Sequence, residues 1–93
     1  MKAEVVIRER RILSTGFIEV VVWRLSEPLS ASVHAFKYRL AYVVDGRCVL
    51  RYDNESGKGD HKHVGDREMR YRFRSIDQLL DDFLSDVSSW EGE

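Results

Sequence analysis

Two histidines separated by one residue, His61 and His63, are the side chains of this sequence best suited to acid–base chemistry. They lie in residues 51–66, a polar stretch that also contains two lysines, three aspartates and three glycines. The unperturbed pKa of histidine is near neutrality, so an imidazole can accept or donate a proton at physiological pH. Glycines permit unusual backbone angles and the close approach of a ligand. This stretch is therefore the candidate functional site.

Cleavage of RNA without a metal is one reaction that these residues could perform. It requires a base that deprotonates the 2′-hydroxyl, an acid that protonates the leaving 5′-oxygen, and cations that stabilise the charge on phosphate. We predict that His61 and His63 are the acid–base pair, that Asp60 orients an imidazole, and that Lys58 supplies positive charge. If this segment is extended, the two histidines project to one side and Asp60 and Lys62 to the other.

A basic strip on the neighbouring strands is the predicted phosphate-binding surface. The predicted substrate-binding residues, in and around the polar stretch, are Lys37, Arg39, Arg51, Asp53, Lys62 and Arg70. Cations on one face can bind phosphates without reading the base sequence. The alternative is an ordinary solvated sheet face, on which lysine and arginine are common.

A metal site and an ordinary surface loop are the alternatives for the histidine stretch. His61, His63, Asp60 and His34 are acceptable ligands for zinc or manganese, although one cysteine does not make a closed structural zinc site. His34 is otherwise predicted to be structural or peripheral. Cys48 alternates with apolar residues, which predicts a buried, inert thiol. For the metal-free reaction we expect no cofactor.

The composition is typical of one soluble domain. The chain has 93 residues, 43% hydrophobic and 33% charged, with a single cysteine and a net charge of -1. All 15 lysines and arginines precede residue 75, and residues 75–93 contain six acidic residues and no lysine or arginine. A basic body can attract polyanions such as RNA. No apolar run could cross a bilayer or serve as a signal peptide, so we expect the protein in the cytoplasm. The length of the chain predicts a single domain over residues 1–93.

The order of apolar residues predicts a sheet followed by one helix. Strands are predicted at residues 4–13, 17–25, 37–44, 47–53 and 68–74. Ser75 and Gln78 form a capping box, and apolar residues at helical spacing continue from Ile76 to Trp90. We therefore expect an α+β fold: an antiparallel β-sheet of about five strands with one C-terminal amphipathic helix packed on one face.

The hairpin between residues 37 and 53 allows two registers. A two-residue loop at Asp45-Gly46 would place charged residues on the apolar face. A three-residue loop, residues 44–46 with Gly46 in the left-handed region, pairs Tyr42 with Cys48 and keeps that face apolar. A slip of one residue reverses every side chain of a strand, so we predict the three-residue loop.

Three blocks of this sequence are similar to a known family. They are residues 34–43 (His-x-Phe-Lys-Tyr-x-Leu-Ala-Tyr-Val), residues 51–68 (Arg-Tyr-Asp-Asn-Glu-x-Gly-Lys-Gly-Asp-His-x-His-x-Gly-Asp-x-Glu), and Tyr-x-Phe at 71–73 with Leu-x-Asp-Phe at 80–83. With these blocks the chain resembles the TumE-type toxins of bacterial and archaeal toxin–antitoxin pairs over nearly its whole length. The resemblance implies a small toxin, encoded beside a DNA-binding antitoxin that neutralises it by direct contact. It assigns no catalytic residue.

We therefore predict the toxin of a type II toxin–antitoxin pair that cleaves RNA by histidine-based acid–base catalysis. Its predicted partners are the cognate DNA-binding antitoxin, at the acidic helix or an exposed sheet edge, and RNA; no membrane is involved, and the sequence also allows a homodimer. One alternative is a non-enzymatic nucleic-acid- or protein-binding module that inhibits growth or regulates transcription. A metal-dependent nuclease is the other.

Overall fold

The part of the chain that the structure describes forms a six-stranded antiparallel sheet with one helix on one face. A computed structural model describes residues 3–30, 32–55 and 57–91. The elements are β1 (Ala3–Ile12), β2 (Phe17–Leu25), β3 (Phe36–Val44), β4 (Arg47–Glu55), β5 (Gly59–Val64), β6 (Arg67–Arg70) and α1 (Ile76–Glu91). The strands neighbour one another in chain order. The predicted α+β fold is confirmed, with one more strand than expected because residues 59–64, predicted as loop, form β5.

The hydrophobic core lies between α1 and the face of the sheet that we call the helix face. Alternate residues of β2, β3 and β4 meet three buried residues of α1, namely Leu79, Phe83 and Val87. Burying each large apolar side chain contributes about 1.5–3 kcal/mol. The opposite side of the sheet, which we call the open face, carries the charged residues of β3 and β4. The core thus leaves one face of the sheet available for polar chemistry.

The helix begins and ends where the sequence predicts. The backbone N–H of Gln78 donates to Oγ of Ser75 at 3.0 Å, which is the N-cap half of the predicted capping box. The Gln78 side chain donates instead to Asp82, at 2.8 Å. None of the helices in the described ranges is long and apolar enough to span a membrane.

The turn between β3 and β4 differs from the prediction. Asp45 and Gly46 form a two-residue turn with φ angles of 51° and 76°, and Val44 pairs with Arg47 on either side of it. Positive φ at both central residues is typical of a type I′ turn, whose twist matches that of the strands. The predicted three-residue loop is therefore wrong.

A β-bulge at Val49 explains why the apolar pattern is nevertheless satisfied. Val43 pairs with Cys48 before the bulge, and Tyr42 pairs with Leu50 after it. The extra residue reverses the side to which the strand directs its side chains. Leu50 is thereby buried, whereas Cys48 is exposed. The prediction of a buried thiol at Cys48 is therefore wrong.

Candidate functional site

The predicted acid–base pair lies on β5, with both histidines on the open face. His61 pairs with Asp53 of β4, and His63 pairs with Arg51. Glu68 of β6 pairs with His63 from the other side. We call these five residues the open-face cluster. It forms because residues 60–63 are extended, so that every second side chain projects to the same face.

Arg51 bridges His63 and an aspartate. Its Nη2 lies 3.0 Å from Nε2 of His63, and its Nε lies 3.1 Å from Oδ2 of Asp53. Nε of Arg51 and Oδ1 of Asp53 are buried and have no hydrogen-bond partner within the described residues, so the contact between Nε and Oδ2 is an ion pair and not a hydrogen bond. A guanidinium can only donate, so Nε2 of His63 accepts and carries no proton in this arrangement.

His61 has the complementary environment. Its Nε2 lies 3.4 Å from Oε1 of Glu68, and its side chain is 9% exposed. The two groups form an ion pair when His61 carries a second proton. The rings of His61 and His63 are stacked, with centroids 6.1 Å apart. One imidazole thus presents a lone pair beside a cation, and the other faces an anion, which are the settings suited to a base and to an acid.

Two further cations extend the open face towards β2. Arg39 pairs with Asp53 across β3 and β4. Lys37 pairs with Trp23, and its Nζ lies 5.6 Å from the indole ring, within the range of a cation–π contact. Both cations are exposed. The predicted basic strip therefore lies on the same face as the histidine pair.

The structure separates Asp60 and Lys62 from that pair. Both belong to the helix face, where Asp60 pairs with Asn54. The Nζ of Lys62 lies 3.1 Å from Oδ2 of Asp86 in α1. The carboxylate of Asp60 contacts His34 and neither His61 nor His63: Nε2 of His34 lies 2.9 Å and 3.1 Å from its two oxygens.

His34 uses both ring nitrogens in anchoring the loop between β2 and β3. Its Nδ1 accepts the backbone N–H of Phe36 at 3.2 Å. Nε2 therefore carries the proton and donates it to Asp60. The ring also stacks on Phe73 with centroids 4.0 Å apart. With both nitrogens engaged, His34 holds structure together rather than transferring protons, in agreement with its predicted structural role.

A cavity of about 540 Å³ opens beside this anchor. We call it the helix-side cavity; its lining includes Val33, His34, Lys58, Asp60, Arg70, Tyr71, Arg72 and Phe73. A second cavity of about 280 Å³ is lined by His61 and Glu68 and shares Lys58, Asp60 and Arg70 with the first. Lys58 and Arg70 thus lie between the open-face cluster and the helix-side cavity.

The candidate metal ligands do not converge. His34 and Asp60 meet on the helix side, whereas His61 and His63 lie on the open face. Within residues 3–30, 32–55 and 57–91, no three histidine, cysteine, aspartate or glutamate side chains are arranged to hold a metal ion. The four candidate ligands named from the sequence therefore do not form one site.

Three tyrosines near the site remain protonated at neutral pH. Burial raises the pKa of Tyr38, Tyr52 and Tyr71 well above the usual value. Hydrogen bonds to carboxylates add to this effect at Tyr52, which donates to Asp86, and at Tyr71, which donates to Asp82. These hydroxyls can donate hydrogen bonds but do not serve as bases.

Several residues of the site carried no recognisable signal in the sequence. Asn54 is 2% exposed; its Oδ1 accepts the N–H of Tyr38 at 2.9 Å, and its Nδ2 donates to the carbonyl of Phe36 at 2.7 Å. Arg72 and Phe73 fall in a predicted strand, but β6 ends at Arg70. Strand alternation predicted the side of the sheet on which Arg72 and Phe73 would lie. It gave no indication that the two residues would line a cavity.

These features define a small α+β protein made of one antiparallel meander, with a histidine pair on the open face and cations around a cavity at its edge. A family model described as Toxin TumE matches residues 2–91, so the chain belongs to the TumE toxin family. The resemblance found in the sequence is confirmed, and the protein is a toxin of a toxin–antitoxin system, which implies a cognate antitoxin. Comparisons with curated proteins and with solved structures give no significant match.

Proposed function

We propose that this toxin cleaves RNA at the open-face cluster. The observation that carries the proposal is the pair of stacked imidazoles, 6.1 Å apart, of which one accepts from a guanidinium and the other faces a carboxylate. Two such groups can act together on one phosphodiester. General acid–base catalysis raises a reaction rate by about 10²–10⁴-fold.

In this mechanism His63 is the base and His61 the acid. The RNA phosphate attracts the guanidinium of Arg51, which frees Nε2 of His63 to take the proton of the 2′-hydroxyl. The 2′-oxygen attacks the adjacent phosphorus, and the bond from phosphorus to the 5′-oxygen breaks. His61 gives its proton to that oxygen, leaving a 2′,3′-cyclic phosphate and a 5′-hydroxyl. Arg51 stabilises the charge on the non-bridging oxygens.

The remaining cations hold the RNA in place. Lys37 and Arg39 extend the open face and can bind flanking phosphates, which positions a strand without selecting bases. Lys58 and Arg70 do the same at the edge of the sheet. Asp60 and Lys62 were predicted from the sequence to orient a histidine and to bind substrate. In this proposal they instead stabilise the helix side of the fold.

The antitoxin is a DNA-binding protein that neutralises the toxin by direct contact, as in type II systems. This part of the proposal is tested by co-expressing the product of the neighbouring reading frame. Co-purification of the two chains and restored growth would support it. Restored growth without any complex would contradict it.

The decisive experiment measures degradation of total RNA by the purified protein, with and without a chelator. The variants His61→Gln and His63→Gln keep a polar amide in place of the imidazole. Arg11→Gln in β1 is the surface control, because Arg11 is exposed and lies on the helix face with Leu80 and Leu84. We expect each histidine variant to lose at least about 100-fold in rate, at unchanged melting temperature, while the control and the chelated enzyme remain active.

Other outcomes point to the alternatives. Loss of cleavage with chelator, and its recovery with a divalent ion, would establish a metal-dependent nuclease. If the protein arrests growth but neither it nor its variants cut RNA, the toxin is a non-enzymatic binding module. In that case Lys37→Ala and Arg39→Ala should relieve growth arrest more than the histidine variants do.

A further inference from the structure

We propose that the helix-side cavity binds a nucleoside monophosphate, either free or as one nucleotide of an RNA chain. Its volume of about 540 Å³ is within the range of about 300–1,000 Å³ found for small-molecule sites. The inference that the cavity holds one nucleotide of an RNA substrate rests on the proposed function. Binding of a free nucleotide is independent of that function.

The walls of the cavity are held in place by contacts within the protein. The N–H of Gly57, in the turn between β4 and β5, donates to the carbonyl of Ser30 at 2.8 Å. The pair formed by His34 and Asp60 joins the same loop to β5 at 2.9 Å. These two contacts tie both sides of the cavity together, so a ligand enters a site that is already formed and loses less entropy on binding.

The charge of the cavity favours an anion. Lys58, Arg70 and Arg72 contribute three cations, all exposed to solvent. Among the lining residues that the structure describes, Asp60 is the single carboxylate, and it already accepts the N–H of His34. Guanidinium and ammonium groups are the usual protein donors to phosphate oxygens. The excess of positive charge therefore matches a phosphate group at the mouth of the cavity.

The rest of the lining fits a base. Phe73 presents an aromatic wall beside the cations, and Tyr71 and Val33 add further apolar surface. Aromatic side chains stack on nucleobases with little dependence on sequence. The oxygens of Asp60 retain lone pairs that can accept an N–H from a base edge. A bare anion would leave this part of the cavity unused.

The cavity is also connected to the proposed reaction centre. Lys58, Asp60 and Arg70 line both the helix-side cavity and the smaller cavity that contains His61. An RNA strand with one nucleotide in the helix-side cavity could continue past Lys58 and Arg70 to the open-face cluster.

The test is a titration of the full chain with adenosine 5′-monophosphate, adenosine and inorganic phosphate, each followed by amide NMR shifts. We expect the nucleotide to shift the amides of Gly57, Gly59 and Phe73 and to bind at least about tenfold more tightly than adenosine or phosphate. Arg72→Ala removes a cation from the cavity, and Val33→Asp adds a negative charge through a residue that is 100% exposed. Each should weaken binding about tenfold, which corresponds to about 1.4 kcal/mol.

Matched controls separate site effects from general ones. Arg67→Ala removes an exposed arginine of β6 outside the cavity, and Val33→Asn changes shape without adding charge; both should bind as the wild type does. Nucleotide binding no tighter than that of phosphate would overturn the proposal, as would equal losses in Arg72→Ala and Arg67→Ala. If the nucleotide binds as expected but no RNA is cut, the cavity stands and the ribonuclease proposal fails. If RNA is cut but no nucleotide binds, the ribonuclease proposal stands and the cavity proposal fails.

Discussion

Asp60 and His61 are adjacent in β5, yet their side chains belong to different groups on opposite faces of the sheet. The carboxylate of Asp60 lies 2.9 Å from Nε2 of His34 on the helix side. The imidazole of His61 lies 3.4 Å from Glu68 on the open face. One strand therefore joins the anchor of the loop between β2 and β3 to the candidate acid–base pair.

The first prediction concerns the anchor formed by His34 and Asp60. The two side chains are 12% and 13% exposed, so removing one leaves the other largely buried without its partner. A double-mutant cycle with His34→Ala and Asp60→Ala should give a coupling free energy of unfolding of about 1–3 kcal/mol. Denaturant unfolding measures it. The control cycle combines Asp60→Ala with Arg8→Ala and should be additive; additivity in both cycles would show that the anchor does not stabilise the fold.

How much of this arrangement the sequence predicts depends on the range of the interactions involved. The helix follows from its capping box and apolar spacing, and the sides taken by residues 60–63 follow from strand alternation. Both are local patterns. The contact of His34 with Asp60 joins residues 26 positions apart and depends on how the loop folds over the sheet, which no local pattern encodes.

The bulge at Val49 shows a second limit. A three-residue loop and a two-residue turn followed by a bulge both place Tyr38, Leu40, Tyr42, Leu50 and Tyr52 on the apolar face. Alternation of apolar residues therefore cannot distinguish the two arrangements. The twist favoured by Asp45-Gly46 decides for the short turn. The prediction for Cys48 failed for this reason, since it lies between the turn and the bulge.

The second prediction tests that placement directly. Cys48 is the one cysteine of the sequence and is exposed, so it should react with a thiol reagent in the folded protein. We expect a rate in native buffer within about tenfold of the rate in denaturant, because the reagent reaches an exposed thiol in both states. A much slower native rate would indicate that Cys48 is buried after all.

The third prediction compares two buried tyrosines. The hydroxyl of Tyr38 has no hydrogen-bond partner within the part of the chain that the structure describes, whereas that of Tyr52 donates to Asp86 and accepts from Lys62 at 3.4 Å. A buried unpaired hydroxyl is destabilising, and a bond to a charged group is stabilising. Tyr38→Phe should raise the free energy of unfolding by about 1 kcal/mol, and Tyr52→Phe should lower it by about 1–3 kcal/mol.

Denaturant unfolding of the two phenylalanine variants gives both values under one set of conditions. Because each variant removes one hydroxyl from a buried tyrosine, each is the control for the loss of volume in the other. Equal destabilisation by the two substitutions would show that Tyr38 has a partner that stabilises the fold.

The last prediction concerns the dependence of stability on pH. Tyr71 donates to Oδ2 of Asp82 at 2.6 Å, and this hydrogen bond is the largest cause that lowers the pKa of Asp82 below its usual 3.8. A carboxyl whose pKa is lower in the folded state stabilises the fold at pH values above its unfolded pKa. That contribution is lost as the pH falls through 3.8 towards the folded value.

Tyr71→Phe should therefore cost more at neutral pH than in acid. We expect a loss of about 1 kcal/mol at neutral pH, allowing for the partial exposure of Asp82, and a smaller loss once Asp82 is protonated. Unfolding curves of wild type and variant at a series of pH values measure the difference. Arg74→Ala is the comparison variant: Arg74 also lowers the pKa of Asp82, but its contact is longer, at 3.5 Å, and 59% of its side chain is exposed, so we expect a smaller change with pH in the same direction. If the difference in free energy of unfolding between wild type and Tyr71→Phe stays constant with pH, the hydroxyl does not bind the ionised carboxylate more strongly than the protonated carboxyl.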